Sequence, residues 1–334
     1  MKKFNVAVLG ATGAVGRQML EILEERNFPI DTLKCLASKR SAGKTIPFAG
    51  KDIMVEETTE NSFEGMDIVL GAASNALAKE MAPHIVKAGA VFIDNSSAFR
   101  MDESVPLVIP EINPEDAYKN KGIIANPNCS TIITLVAINA LNKLSPIETV
   151  VASTYQAVSG AGAAGPVELM DETEAILKGE EYEPKVFSHT IAHNVIPKIG
   201  SGLENGYTTE EMKMQNEGRK IMHLPELLVS CTCVRVPVVR SHSISVVVKT
   251  KEKISVDAAR EIISTAPGCK LYDNLGADIF PMPIVTSDQD LVYVGRIRED
   301  LTSDRGLNIW CCGDQVRKGA ATNAVQIAEL IAKA

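Results

Sequence analysis

No uncharged apolar stretch approaches the roughly 20 residues that cross a bilayer, which excludes an integral membrane protein built on apolar helices. There is no basic surplus either. Lys and Arg number 34 against 42 Asp and Glu, a net charge of −8 with both signs interspersed, so nucleic acid finds no electrostatic footprint and an anionic ligand must be caught locally. The 23 Gly and 16 Pro among 334 residues are near ordinary usage, which removes collagen-like and low-complexity readings. No internal repeat is present. The seven cysteines are odd in number and are not spaced like a disulfide framework, which predicts a reducing, cytoplasmic setting. The charged, apolar start could open a secretory signal, but it runs into three spaced glycines and an amphipathic helix, which argues against export.

What is there suits a compact globular protein. Hydrophobic residues make up 45% of the chain, ample for a sizeable core, and at roughly 150 residues per domain the length predicts about two domains. In the first half, short apolar runs at residues 5–9, 32–37, 68–71, 91–94 and 123–125 alternate with helical patterns at 14–26 and 75–88. That rhythm predicts an α/β fold with a doubly wound parallel sheet. After Asn126 a helix over 130–144 leads to longer strands at 147–157, 228–238, 243–250 and 291–298, which fit a mixed or antiparallel sheet. The final segment, 319–334, reads as a helix returning to the first domain. The expected division is 1–127 with 314–334, and 128–313, and the longest linker is expected at 200–209.

Directly after the first strand stands Gly10-Ala11-Thr12-Gly13-Ala14-Val15-Gly16, and a helix starts inside it. Glycines there permit a tight turn and close backbone approach, while a helix start offers N–H groups and a positive dipole end to a phosphate. A plain glycine turn is the bland alternative; strand before and helix after favour a Rossmann-type dinucleotide site. An acidic residue ending the second strand would receive the ribose 2′-hydroxyl of NAD. Instead the chain reads Ser38-Lys39-Arg40 with Lys44 following, hydroxyl and cations that suit the 2′-phosphate of NADP.

Cys35, Cys231, Cys233, Cys311 and Cys312 lie in apolar surroundings and read as small core residues. Cys129 differs: it falls in Asn126-Pro127-Asn128-Cys129-Ser130, at the start of a predicted helix, where the dipole favours thiolate over thiol. A nucleotide loop combined with a helix-start cysteine points to thioester chemistry with hydride transfer.

These motifs, with Asp94-Asn95-Ser96-Ser97-Ala98-Phe99-Arg100, Tyr155-Gln156-Ala157-Val158-Ser159-Gly160, and Arg235-Val236-Pro237-Val238 ahead of His242, resemble the aspartate-β-semialdehyde dehydrogenases from first strand to last helix. The resemblance implies a glyceraldehyde-3-phosphate-dehydrogenase-like arrangement, with a second α+β domain that also mediates homodimerisation. It implies reductive dephosphorylation of L-aspartyl 4-phosphate with NADPH, a step toward lysine, threonine and methionine. By resemblance Cys129 is the nucleophile, His242 the acid/base, Gln156 the residue positioning the thioacyl group, and Arg235 the clamp for the substrate carboxylate. Glu217 would meet the substrate ammonium, while Lys220, Arg100 and Asn128 would hold phosphate. Ser159, Gly160 and Gln315 match cofactor contacts, and Ser74 and Asn75 are further candidates at the mouth of the sheet.

Alternation with Thr232, Val234 and Val236 predicts that Arg235 points away from the core, and Arg240 competes for its role. Glu217 and Lys220, three apart, equally fit a surface ion pair. His189 and His193, four apart, could share a metal on a helix, but no accompanying glutamate supports that, and no metal is expected. Two alternatives stay open: a reductase of another acyl phosphate such as N-acetylglutamyl phosphate, which needs no ammonium pocket, and a non-catalytic NADP-binding sensor.

Overall fold

The computed structural model describes residues 2–333. They divide into one unit that runs to Asn128 and resumes at Ala320, and a second, Cys129–Gly319. Residues 314–319, expected with the returning helix, therefore belong to the second unit. Their side chains explain why: the Asp314 carboxylate accepts Arg240 Nε at 2.6 Å and the Asp288 N–H at 2.7 Å, and Arg317 Nε donates to Asp290 at 2.9 Å.

The first unit carries β1 (Phe4–Leu9), α1 (Ala14–Glu25), β2 (Ile30–Ala37), β3 (Thr45–Phe48), β4 (Lys51–Glu57), β5 (Ile68–Gly71), α2 (Asn75–Lys87), β6 (Val91–Asp94) and β7 (Ile123–Ala125). Their sheet order is β3-β4-β2-β1-β5-β6-β7, parallel except for β3 against β4. The β3–β4 hairpin at the sheet edge was not expected from sequence. Unbroken apolar runs such as Val6–Leu9 are fully buried because helices cover both faces of a parallel sheet. Order reverses between β1 and β5, so the ligand crevice of this topology opens at their carboxyl ends.

The second unit carries α3 (Cys129–Asn142), β8 (Ile147–Gln156), α4 (Ala164–Lys178), α5 (Thr209–Met222), β9 (Leu228–Arg235), β10 (His242–Thr250), α6 (Val256–Ser264), β11 (Cys269–Leu271), α7 (Pro283–Thr286), β12 (Val292–Glu299) and β13 (Gly306–Gly313). Sheet order is β11-β12-β13-β10-β8-β9, with β8–β9 and β11–β12 parallel and the other pairs antiparallel. Nearly all of α3 is buried, which suits its continuously apolar sequence. Residues 179–208 form neither helix nor strand, a longer irregular stretch than the expected linker. The chain then returns as α8 (Thr322–Lys333), preceded by a wider π-type turn over Arg317–Ala321. Among the described residues no helix is long and apolar enough to cross a membrane.

Candidate active site

In the first unit, Gly10 takes φ +84°, and a Cβ there would stand 2.3 Å from the Ala72 carbonyl oxygen beyond β5. A Cβ on Gly16 would stand 2.2 Å from Gly10 O. Both glycines thus let the backbone close tightly at the point where strand order reverses, where any larger residue would strike main-chain atoms. Gly13 occupies the N-cap of α1 and supplies no side-chain cap, so the first-turn amides remain directed at whatever anion lies ahead of them. The residues present therefore fit a dinucleotide pyrophosphate. Ser38, Lys39 and Arg40 follow β2 as an exposed turn.

Ser74 Oγ accepts the Leu77 N–H at 3.3 Å as N-cap of α2, and Asn75 exchanges two hydrogen bonds of 2.8 and 2.9 Å with Ser97. Arg100 is buried and donates from Nη2 to Asn95 O at 2.9 Å. Nearby, Asp94 is buried beside Ser96; desolvation pushes its carboxyl up, while hydrogen bonds from Ser96 and the Arg100 charge oppose that. Asn128, also buried, ends this unit.

In the second unit, Cys129 is the first residue of α3 and the one cysteine of seven that is not buried. The five expected as small core residues are buried, as is Cys269, and burial raises the thiol pKa of Cys311 and Cys312. Backbone at Gly319 lies against the nucleophile candidate, where a Cβ would come within 3.0 Å of Cys129 Cβ.

His242 opens β10 and is fully buried. Its Nδ1 accepts the Ala157 N–H at 3.0 Å, which leaves the proton of the neutral ring on Nε2. Desolvation first, then the Arg235 charge, lowers its pKa to about 3, with Glu210 pulling the other way. Gln156, the last residue of β8, has its carboxamide fixed by Thr154 Oγ1, which donates to Oε1 at 3.0 Å. Its Nε2 lies 3.4 Å from Glu210 Oε1 and 3.5 Å from His242 Nε2. Two N–H donors thus converge where a carbonyl oxygen would be polarised.

Arg235 departs from its expected orientation. It lies on the same side of β9 as Cys231 and Cys233 and is 7% exposed, whereas Thr232 on the alternate side is exposed. The alternation was misread because Val234 sits on the partly open face while the cysteines fill the closed one. Arg235 Nη1 donates to Ala157 O at 2.6 Å. Burial lowers its pKa, and the Cys129 sulfur and the Glu210 carboxylate raise it. Gly160 completes this cluster: a Cβ there would stand 2.8 Å from Arg235 Nη1 and 3.1 Å from His242 Cε1.

Arg240, the competitor, is committed to ion pairs with Asp314 and Asp288. Gln315 Oε1 accepts the Ser241 N–H at 2.8 Å while its Nε2 donates to Ser159 Oγ, and Ser159 Oγ donates to Val239 O at 2.6 Å. These two candidates therefore tie the loop before His242 together. Glu217 is buried on α5 and Lys220 half-buried, so the surface-pair reading of Glu217 does not fit. Sequence reading missed Glu210, which the structure sets beside Gln156. The signal was available: Thr208 and Glu211 form a capping box, which places Glu210 in the first turn of α5.

Known proteins resemble this chain over nearly its whole length. Residues 5–120 match the family model "Semialdehyde dehydrogenase, NAD binding domain", and residues 138–318 match "Semialdehyde dehydrogenase, dimerisation domain". The chain is 52% identical to an aspartate-semialdehyde dehydrogenase of Aquifex aeolicus, over 99% of this chain and 98% of the relative, and 48% identical to that of Bacillus subtilis, over 98% and 97%. The crystal structure of aspartate semialdehyde dehydrogenase II from Vibrio cholerae, complexed with ASA, superposes with a TM-score of 0.97 at 46% identity, covering 100% of this chain and 99% of that one. A Candida albicans aspartate semialdehyde dehydrogenase with NADP superposes at 0.78 with 25% identity and 99% coverage of both chains.

Proposed function

Because the chain belongs to the aspartate-semialdehyde dehydrogenase family, we propose that it reductively dephosphorylates L-aspartyl 4-phosphate to L-aspartate 4-semialdehyde through a Cys129 thioester. The observation that carries this is Cys129 itself, the accessible cysteine of the chain, at the first residue of a helix. The Cys129 thiolate attacks the acyl-phosphate carbon, and the carbon–oxygen bond to phosphate breaks with its electron pair leaving on phosphate. The thioester carbonyl then lies within reach of N–H groups of Gln156 and His242, which hold the oxyanion of the tetrahedral stage; its collapse expels the thiolate and gives the aldehyde. With its Nε2 protonated, His242 acts as donor here. NADPH, when bound, supplies the hydride that reduces the thioester.

Residues 10–16 are proposed to hold the pyrophosphate and Ser38 and Arg40 the 2′-phosphate, hence NADP over NAD. Arg235 takes the substrate carboxylate by a bidentate fork, Glu217 the ammonium, and Lys220, Arg100 and Asn128 the phosphate. Ser159, Gly160 and Gln315 shape the nicotinamide side, and Ser74 lies at the mouth of the sheet. The seven free thiols suit a cytoplasmic enzyme, and the match to a dimerisation domain supports a homodimer.

Cys129→Ser tests the reading. Phosphate-dependent NADP reduction with L-aspartate 4-semialdehyde should fall at least about a thousandfold while NADPH affinity, read by dihydronicotinamide fluorescence, stays put. Full turnover by the variant, or parent activity confined to N-acetylglutamate semialdehyde, rejects it.

A further inference from the structure

Arg235 is gripped by a segment that the chemistry above leaves unused. Residues 179–208 have no regular structure of their own, and such a stretch is ordinarily mobile. Here its backbone is tied to two carboxylates of α4. Glu168, 2% exposed, accepts the N–H groups of Lys185 and Val186 at 2.7 Å on Oε2 and that of Phe187 at 3.0 Å on Oε1. One turn on, the fully buried Glu172 accepts those of Ile191 and Ala192 at 2.7 and 2.8 Å. Beneath the loop, Ile191, Ala192 and Ile196 pack with Val158 and Leu169, and Phe187 rests against them.

Burying two carboxylates is costly unless charge-assisted hydrogen bonds compensate, and five backbone donors provide them. The arrangement has a definite product. The Phe187 ring centroid lies 5.7 Å from the Arg235 guanidinium carbon, and Ile196 exchanges paired N–H···O=C bonds of 2.9 Å with Arg235 itself. Phe187, Ser188, Ile196 and Arg235 line a cavity of about 300 Å³. An arginine has many rotamers, whereas bidentate capture of a carboxylate needs its plane fixed beforehand.

We propose that Glu168 and Glu172 are positioning residues of the substrate site: by ordering residues 185–192 they seat Phe187 on Arg235 and so set the guanidinium plane for the substrate's α-carboxylate. The assignment rests on the dehydrogenase reading above and deepens it. Carboxylates and loop together also give the pocket one rigid wall, which favours short substrates over extended ones.

Steady-state kinetics of Glu168→Gln and Phe187→Leu, each in the parent and in an Arg235→Lys background, decide the matter. Both substitutions should raise KM for L-aspartate 4-semialdehyde about tenfold in the parent, with kcat within about threefold and KM for phosphate and NADP unchanged. With Arg235→Lys already present, the same substitutions should change KM less than about twofold, since they act through the guanidinium. Equal effects in both backgrounds, or an unchanged KM, overturn the assignment while leaving the dehydrogenase reading intact. Should Glu168→Gln not fold, Phe187→Leu carries the test alone, because it removes a ring and none of the backbone bonds. A parent enzyme inactive on L-aspartate 4-semialdehyde sinks both readings together.

Discussion

His242 is held neutral by its surroundings, with a pKa near 3 set by burial and by the Arg235 charge. An unfolded histidine titrates at its ordinary 6.5, so between these values the unfolded chain binds a proton that the folded one refuses. The contribution of the neutral His242 to stability is therefore full well above pH 6.5 and is lost as pH falls toward 3. Thermal denaturation should show parent Tm falling more between about pH 7 and about pH 5 than that of His242→Gln; identical slopes would refute the neutral-imidazole account. At this scale Gly10 and Cys129 stood out because each depends on local chain geometry, whereas His242 was reached only through the family resemblance. Glu210 and Phe187 were not legible, since their partners, Gln156 and Arg235, are brought to them only by the tertiary fold.

The elements tell a similar story with different causes. Strands β1, β2, β5, β6 and β7 were readable, because continuous apolar runs followed by glycine or by amphipathic patterns admit few alternatives. The hairpin of β3 and β4 escaped notice: its turn is Ala49-Gly50, without the Asn or Asp that marks such turns, and β4 is mostly exposed. Both turn residues adopt positive φ, 48° for Ala49 and 75° for Gly50, which alanine tolerates poorly. Ala49→Asn should therefore stabilise the protein by about 0.5 kcal/mol, visible as a higher urea midpoint with an unchanged slope. Helix α4 was hidden because it begins in the small-residue run Ala163-Ala164-Gly165-Pro166, and its Glu168 and Glu172 look like ordinary surface charges until residues 185–192 fold over them.

For the whole molecule, chain length pointed to two units, and the residue texture after Asn126 put the first boundary within one residue of the break after Asn128. The second boundary was set six residues early, because residues 314–319 are held by ion pairs with residues distant in sequence. One face of the mixed sheet carries Val151, Tyr155 and Leu228, which are 47%, 39% and 57% exposed. Aligned apolar side chains on the outer face of a sheet within the stretch matching a dimerisation domain fit a two-fold contact between copies. Val151→Glu should convert dimers to monomers in sedimentation velocity without altering the circular dichroism spectrum; unchanged sedimentation would place the contact elsewhere.

Helix α8 belongs to the first unit, where Ala321, Ala324, Val325 and Ile327 join the core formed by Val6, Val8, Met19 and Leu23, and Asn323 donates to Asn126 Oδ1 at 2.6 Å. During synthesis, the segment up to Asn128 thus waits for Thr322–Lys333, which follow the whole of the second unit. Until those closing turns emerge, the nascent nucleotide-binding half carries an open apolar groove, and molecular chaperones are the natural shelter for it.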